Sequence, residues 1–358
     1  MDANKMMWSV LIHLEMSFSP RGKKTAAERV FDEEVWDSII DECVKSGVNA
    51  IVLELARGVQ YGSHPELAQP WAWSRERVKK EVKRLKALGI ELIPKLNFSA
   101  THDGWLMEYE RMLSTPTYYR VCRDLILEAG ELFDHPRYIH LGMDEEGEKF
   151  ARGSELAVYR HKELFWHDLQ YLCDCVREAG STPWMWWNPY SDYQEECRKH
   201  MSTDDIVFSP YMYNAIKKEH FTPITSRQEY VDYYSKEPYA SMNIQYVEDD
   251  PYIVKFMEQA IPCVEDGYKV MPCVSTYNRC PYNAVDMLEY FRDHANPDGV
   301  LGYMTAPWFA TRKENQETIL NDIRVFKQAM DKMYFGKKDE NAEKIDLSGI
   351  KSSGIGVY

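Results

Sequence analysis

The sequence predicts an α/β chain folded as a single-domain (β/α)8 TIM barrel. Three observations predict it. Eight short apolar runs recur along the chain, each followed by a helix or helix-like segment. One grammar repeats at the junctions, an amphipathic segment, then a glycine, then a short run: "KSGVNAIVLEL", "ALGIELIPKL", "EAGSTPWMWW". The runs are nearly continuous in apolar character, as in parallel strands buried on both faces. Eight such units make a barrel. A doubly wound open sheet is the alternative, but it usually carries a Gly-rich nucleotide loop after its first strand, and "HLEMSFSPRG" is not one.

The elements follow in order. The first run is "WSVLIHLEM" (8–16), followed by the helical pattern "DEEVWDSIIDECVKSG" with Gly47 as a stop signal. "NAIVLELA" (49–56) precedes a helix over 74–89, with Ser74 as N-cap and Gly89 at the C-terminus. The basic stretch in it reads as the solvated face of an outer helix. "IELIPKLNF" (90–98) is third. A helix over 115–133 leads to "RYIHLGMDE", and one over 163–180 leads to "TPWMWWNPY" (182–190). "DIVFSPYMY" (205–213) is sixth. A helix over 251–267 precedes "YKVMPCVSTY" (268–277), and one over 283–295 precedes "GVLGYMTAPW" (299–308). A last helix covers about 313–333. The barrel is expected to occupy residues 1–335, and residues 336–358 form a charged, then Gly/Ser-rich tail.

Composition narrows the function. The net charge is −14, which argues against nucleic acid or an anionic membrane as the main partner. No apolar run reaches the ~18 residues of a membrane span. "MDANKMMWSV" has no apolar leader core, so a cytoplasmic protein is expected. The eight cysteines are scattered and read as reduced, buried thiols. The 24 tyrosines and 10 tryptophans suit a core, and also a sugar-binding cleft, where a flat ring face meets a polar edge.

In a barrel of this type the site lies where strands end. The polar residues at those ends are His13 and Glu15, Glu54, Asn97 and His102, Asp144 and Glu145, Trp186, Trp187 and Asn188, Tyr211, Tyr213 and Asn214, Tyr277 and Asn278, and Trp308. Their chemistry is carbohydrate-like. A common hydrolytic plan needs two opposed carboxylates, yet the seventh run ends "VSTYN" without an acid. The acids are adjacent instead. Adjacent acids serve a substrate that supplies its own nucleophile: a 2-acetamido oxygen attacks the anomeric carbon, Asp144 orients the amide N–H and stabilises the intermediate, and Glu145 is the general acid.

These residues carry a resemblance. "HLGMDE" resembles the His-x-Gly-Gly-Asp-Glu signature of family 20 glycoside hydrolases, the β-N-acetylhexosaminidases, with Met143 at the second glycine. "PKLNFSATH" resembles the family's Pro-Glu-x-Asp-x-Pro-Gly-His loop, one residue longer, with Asn97 for the acid and His102 as the histidine. "PWMWW" resembles the fifth-strand tryptophan region, and Trp187 is favoured over Trp186 for the pocket. "VFSPYMYN" resembles the segment whose tyrosine bonds the acetamido carbonyl; Tyr213 is the first choice and Tyr211 the second. "GYMTAPW" resembles the last strand, ending in a pocket tryptophan, Trp308. The resemblance implies an exo-acting, retaining hydrolase of terminal β-linked 2-acetamido sugars, without metal or other cofactor. The family's first-strand arginine is missing, and so is the acid beyond its last tryptophan. His13, Glu15 and Glu54 are the candidates to bind sugar hydroxyls in place of the arginine, or equally to form a buried polar network, and Asn188 is a further substrate-binding candidate.

Other readings remain beside this one. His13, Glu15, Glu54, His102, His140 and Asp144 also suit a divalent metal in a sugar isomerase or amidohydrolase, and a non-catalytic sugar-binding barrel is a third reading. Glu146 and Glu148 read as solvated or helix-capping acids, and His140 as a core or supporting residue. Lys95 has no surroundings that suit a Schiff base. A homodimer is compatible with the sequence.

Overall fold

The computed structural model describes residues 2–16, 31–147, 158–204, 206–217, 220, 251–277, 280 and 282–336. Nine strand segments are present: β1 Met7–His13, β2 Ala50–Glu54, β3 Glu91–Lys95, β4 Tyr138–His140, β5 Thr182–Trp186, β6 Val207–Ser209, β7 Lys269–Val270, β8 Cys273–Val274 and β9 Gly302–Thr305. All pair in parallel, in the spatial order β7-β6-β5-β4-β3-β2-β1-β9-β8. Each expected run contains its strand, save that β1 begins one residue ahead of the first run, at Met7.

The seventh run is split. Pro272 offers no N–H to a ladder, and β7 and β8 are the two halves on either side of Met271 and Pro272. They close the sheet. β7 pairs with β6, and Val270 bridges Val300 just ahead of β9. β8 pairs with β9, and Cys273 bridges Tyr211 just beyond β6. The Met271 N–H donates to Phe208 O at 2.8 Å, and the Leu301 N–H to Val270 O at 3.0 Å, so both seams are bonded. The result is an eight-stranded barrel.

Nine helices are described: α1 Glu33–Ser46, α2 Arg75–Ala87, α3 Pro116–Leu132, α4 Glu163–Glu178, α5 Asn188–Asp192, α6 Gln194–His200, α7 Pro251–Glu265, α8 Asn283–His294 and α9 Gln316–Met330. Local chemistry sets their ends. Asp32 caps α1 by accepting from the Glu34 and Val35 N–H groups, and Gly47 ends it in the left-handed region at φ +72°. The Ser74 side chain accepts from the Arg77 N–H at the start of α2. Short α5 and α6 fill the step from β5 to β6. Among the described residues no helix is long and apolar enough to cross a membrane. All eight cysteines are free and buried. The tail from 337 onward lies outside the described residues, as do Glu148 and Asn278.

Two apolar layers result from strand alternation. Trp8, Val10, Ile12, Ile51, Leu53 and Met185 face outward into the core shared with the helices. Met7, Leu11, Ala50, Val52, Ile93, Trp184 and Trp186 fill the barrel interior. His13, Glu54, Lys95 and His140 are in phase with the interior set. Register places them side by side: His13 opposite Glu54, Glu54 opposite Lys95, Lys95 opposite His140.

The seam between β1 and β9 leaves no room for a side chain at Gly302. A Cβ built there would lie 2.0 Å from the Met7 carbonyl oxygen. Gly302→Ala is therefore expected to cost at least about 3 kcal/mol, because the obstacle is backbone. Chemical unfolding of the variant beside the wild type measures this.

Candidate active site

The strand ends carry a charged row. Glu54 lies between His13 and Lys95 and bonds the His13 Nδ1 through one oxygen and the Lys95 Nζ through the other. All three are buried. Burial alone would raise the Glu54 pKa, but the Lys95 charge and the hydrogen bonds from His13 and Lys95 outweigh it and hold the carboxyl well below the usual carboxylate range. His140 accepts the Gly142 N–H on Nδ1 at 3.0 Å. Its burial, then the Lys95 charge, keep the ring neutral, well below the ordinary histidine pKa. Trp186 and Trp308 complete the row. The Trp186 ring lies 5.0 Å from His140 and 5.6 Å from Trp308, and Trp308 lies 5.8 Å from His13.

Asp144 and Glu145 stand on the loop that follows β4. The loop turns sharply: Gly142, Met143 and Glu145 have φ of +72°, +63° and +54°. A Cβ at Gly142 would lie 2.0 Å from Asn97 Oδ1, so glycine is needed there. The next position keeps a left-handed backbone although methionine occupies it, at an order of 1–2 kcal/mol of strain. Such strain persists where surroundings over-determine the backbone.

The surroundings come from the loop after β3. The Asn97 Nδ2 donates to Asp144 Oδ1 at 2.9 Å. Ser99 Oγ donates to the Asp144 carbonyl oxygen, and Thr101 Oγ1 to that of Glu145 at 3.0 Å. His102 Nε2 lies 3.4 Å from both Asp144 Oδ2 and Glu145 Oε2. Burial would lower the His102 pKa, but the adjacent carboxylates outweigh it and raise it above the ordinary value. The His102 ring thus sits between the two acidic side chains. The Asp144 side chain is 14% exposed and that of Glu145 40%, so Glu145 reaches further into the open mouth.

A buried ion network fixes this pair of loops. The Arg160 guanidinium is fully buried. Its Nη1 donates to Glu146 Oε2 at 2.6 Å and to Phe98 O at 3.2 Å, its Nε to Asp168 Oδ2 at 2.9 Å, and its Nη2 to Tyr118 Oη at 3.1 Å. Glu146 also accepts the N–H groups of Ala100 and Arg160. Glu146 is therefore a buried anchor, not the solvated or capping acid expected from the sequence. Arg160, Asp168 and Ser99 give no sign of their role in the sequence, because their contacts are set by the meeting of separate loops and helices.

Several expected residues are brought together: His102 lies against Asp144 and Glu145, and Glu54, His13, Trp308 and Tyr213 follow one another in contact at the strand ends. Tyr211 and Tyr213 stack at 5.6 Å, and both join the interior cluster while Met212 between them faces outward. Asn188 Oδ1 accepts from Tyr211 Oη at 3.1 Å, which sets it behind the tyrosines. Trp187 is a correction. It turns outward and packs on Phe256 of α7 at 5.4 Å, and Trp186 takes the interior position. Strand alternation carried that signal. Glu15 follows the second of its two readings, a buried polar network. Its Oε2 accepts the Arg57 N–H at 2.5 Å and its Oε1 the Gln69 Nε2–H at 2.8 Å, so it ties down the loop after β2. Burial raises the Glu15 pKa, against those hydrogen bonds.

No family model matches the sequence, and no curated protein matches it. Solved structures do share the fold. The N-acetyl-β-hexosaminidase of Streptomyces plicatus, in complex with Thio-NAglucal, superposes with a TM-score of 0.56 at 13% identity, over 90% of this chain and 64% of that one. The family 20 exo-β-N-acetylglucosaminidase of Vibrio harveyi, in complex with N-acetylglucosamine, gives 0.56 at 14%, over 96% and 56%. The β-N-acetylhexosaminidase of Bacteroides fragilis gives 0.55 at 13%, over 91% and 65%. The chain thus has the barrel fold of the family 20 β-N-acetylhexosaminidases, at low identity, and spans 56–65% of the length of these three.

Two outcomes follow from the site's electrostatics. Arg160→Met strands two buried carboxylates and is expected to cost about 3–5 kcal/mol in chemical unfolding. Arg160→Lys should recover only part, since an ammonium cannot reproduce the fork. Separately, the His102 ring should titrate above ~6.5 by NMR, and its pKa should fall in Asp144→Asn. The raised pKa contributes stability that is present below the unfolded value and lost as pH rises through the folded one. Asp144→Asn should therefore destabilise more at pH 6 than at pH 8.

Proposed function

We propose that this chain is a retaining, exo-acting glycoside hydrolase that cleaves terminal β-linked N-acetylhexosamine, or a related 2-acetamido sugar, by substrate assistance. The observation that carries the proposal is the adjacent pair Asp144–Glu145. Asn97 and His102 hold it at the mouth of a barrel lined by Tyr211, Tyr213, Trp186 and Trp308. The shared fold supports the reading, because neighbours with this barrel are solved as β-N-acetylhexosaminidases. The net charge of −14 supports an uncharged carbohydrate as partner over nucleic acid or an anionic membrane. Eight free, buried thiols support a reducing, cytoplasmic setting.

The chemistry assigns one task to each acid. The acetamido carbonyl oxygen attacks the anomeric carbon as the bond to the leaving oxygen breaks. Glu145 donates its proton to that oxygen, and its exposure gives it access to the leaving group. Asp144 accepts a hydrogen bond from the acetamido N–H, which becomes acidic as the oxazolinium forms. The Asn97 amide, on the other carboxylate oxygen, fixes its direction. Water then adds to the anomeric carbon and gives its proton to Glu145, the ring opens back to the acetamide, and the β configuration is retained. His102 offsets the charge of Asp144 throughout, and that of Glu145 once it has given up its proton.

The metal-dependent reading requires His13, Glu54, His102, His140 and Asp144 around one ion. Glu54 instead has its oxygens on Lys95 and His13, and His102 lies against Asp144 and Glu145. Among the described residues the group of three ligand atoms within 4.8 Å of one another is Glu163, Glu196 and His200, which lie on α4 and α6, outside the strand ends.

Hydrolysis of a panel of aryl glycosides tests the proposal. β-N-acetylglucosaminides and β-N-acetylgalactosaminides should turn over, and the plain 2-hydroxy sugars should not. Glu145→Gln should lower kcat by about 10²–10⁴ on substrates with poor leaving groups. Turnover of 2-hydroxy sugars would contradict substrate assistance.

A further inference from the structure

The row beneath the acidic pair holds polar atoms that no described residue satisfies. His13, His140 and Trp186 are each 1% exposed or less. His13 Nε2, His140 Nε2, Trp186 Nε1 and Trp308 Nε1 are buried and make no hydrogen bond among the described residues. Buried polar atoms without partners are rare in folded proteins, because each costs its desolvation. Here the rings that carry them are consecutive neighbours, and all lie at the strand ends. One such atom is an accident of packing; four in a row call for a common partner.

The protons on this row follow from the partners behind it. His140 Nδ1 accepts the Gly142 N–H, so the ring proton is on Nε2, which donates. Each indole nitrogen only donates. His13 is different. Its Nδ1 faces the Glu54 carboxylate, and the ammonium of Lys95 on the far oxygen keeps that carboxylate ionised. An acceptor that holds no proton of its own faces Nδ1, so in the neutral form the ring keeps its proton there and presents a lone pair at Nε2. The row offers three donors and one acceptor.

We propose that this row reads the hydroxyl edge of the bound sugar, with His13 Nε2 accepting a hydroxyl proton while Trp308, Trp186 and His140 donate to hydroxyl oxygens. The inference rests on the sugar reading given above and adds its specificity. A hydroxyl both gives and accepts, which suits a row of mixed polarity. A carboxylate or sulfate has no proton to give and would set an oxygen against the His13 lone pair. The row selects a neutral polyhydroxyl unit over a uronate or a sulfated sugar. Glu54 and Lys95 are positioning residues: Lys95 keeps Glu54 ionised, and Glu54 fixes the His13 tautomer.

His13→Asn is the clean test, because an Asn amide nitrogen falls near the position of His Nδ1. It keeps a partner for Glu54 and deletes Nε2. The probes are N-acetylglucosamine and N-acetylgalactosamine with their 3-, 4- and 6-deoxy forms, titrated by tryptophan fluorescence, which Trp186 and Trp308 supply. His13→Asn should weaken the parent sugar roughly tenfold. One deoxy form should be weakened similarly in the wild type and lose nothing further in the variant, the signature of a shared contact. His13→Gln, whose amide reaches the Nε2 position, should restore part of the affinity. It also keeps the test open should His13→Asn fail to fold, since its own deoxy profile can be compared with the wild type. Unchanged affinity in His13→Asn, or losses that add for every deoxy form, would overturn the inference and leave the sugar reading standing. A wild type that binds none of these sugars would overturn the sugar reading, and this inference with it.

Discussion

One buried guanidinium holds the acidic loop in place. Arg160 reaches the loop after β3 through Phe98 O, the loop after β4 through Glu146, α3 through Tyr118 and α4 through Asp168. A buried ion pair adds little net stability over a well-packed apolar group. Its effect is geometric: a planar fork satisfies several acceptors only in one arrangement. That arrangement fixes the positions of Ala100 and Glu146, hence the two strands of chain that carry His102, Asp144 and Glu145. The left-handed backbone at Met143 and Glu145 is sustained by the same contacts. An acidic pair beside its own negative charge and strained main chain would otherwise relax into solvent.

Charge is balanced in two tiers. In the upper tier His102 lies against Asp144 and Glu145. In the lower tier the Lys95 ammonium offsets Glu54, whose other oxygen faces His13 Nδ1. Parallel register builds the lower tier directly, since neighbouring strands present His13, Glu54, Lys95 and His140 at matched positions. The barrel thus supplies both a rigid polar floor and, two residues further along β3 and four along β4, the hydrogen-bonded pair Asn97 and Asp144.

Much of this was legible in the sequence. The eight runs locate all the strands because a strand buried on both faces must be apolar along its length. Asp144 and Glu145 stand out because acids at a strand end have few structural uses. Their supports were harder to see. Glu146 looks like its acidic neighbours, and only the meeting of three segments buries it against Arg160. Asp168 lies in the apolar pattern of α4, and its role depends on what packs above it. Lys95 makes sense only once register sets it beside Glu54. Trp187 was chosen for its nearness to the strand end, whereas period-two alternation puts Trp184 and Trp186 inside and Trp187 outside. Glu15 follows His13 by two and shares its phase, but the chain has left the strand there and the side chain turns to Arg57 and Gln69. The break at Pro272 is visible as a proline in a run, a local signal for the split strand.

The most direct measurement is a crystal structure of the protein with a sugar-fused thiazoline, a stable mimic of the bicyclic intermediate. Substrate assistance by this pair predicts the thiazoline ring nitrogen against the Asp144 carboxylate, Glu145 on the open side of the anomeric carbon, and the sugar hydroxyls toward His13 and Trp308. A thiazoline that does not bind, or that binds away from Asp144, would contradict it.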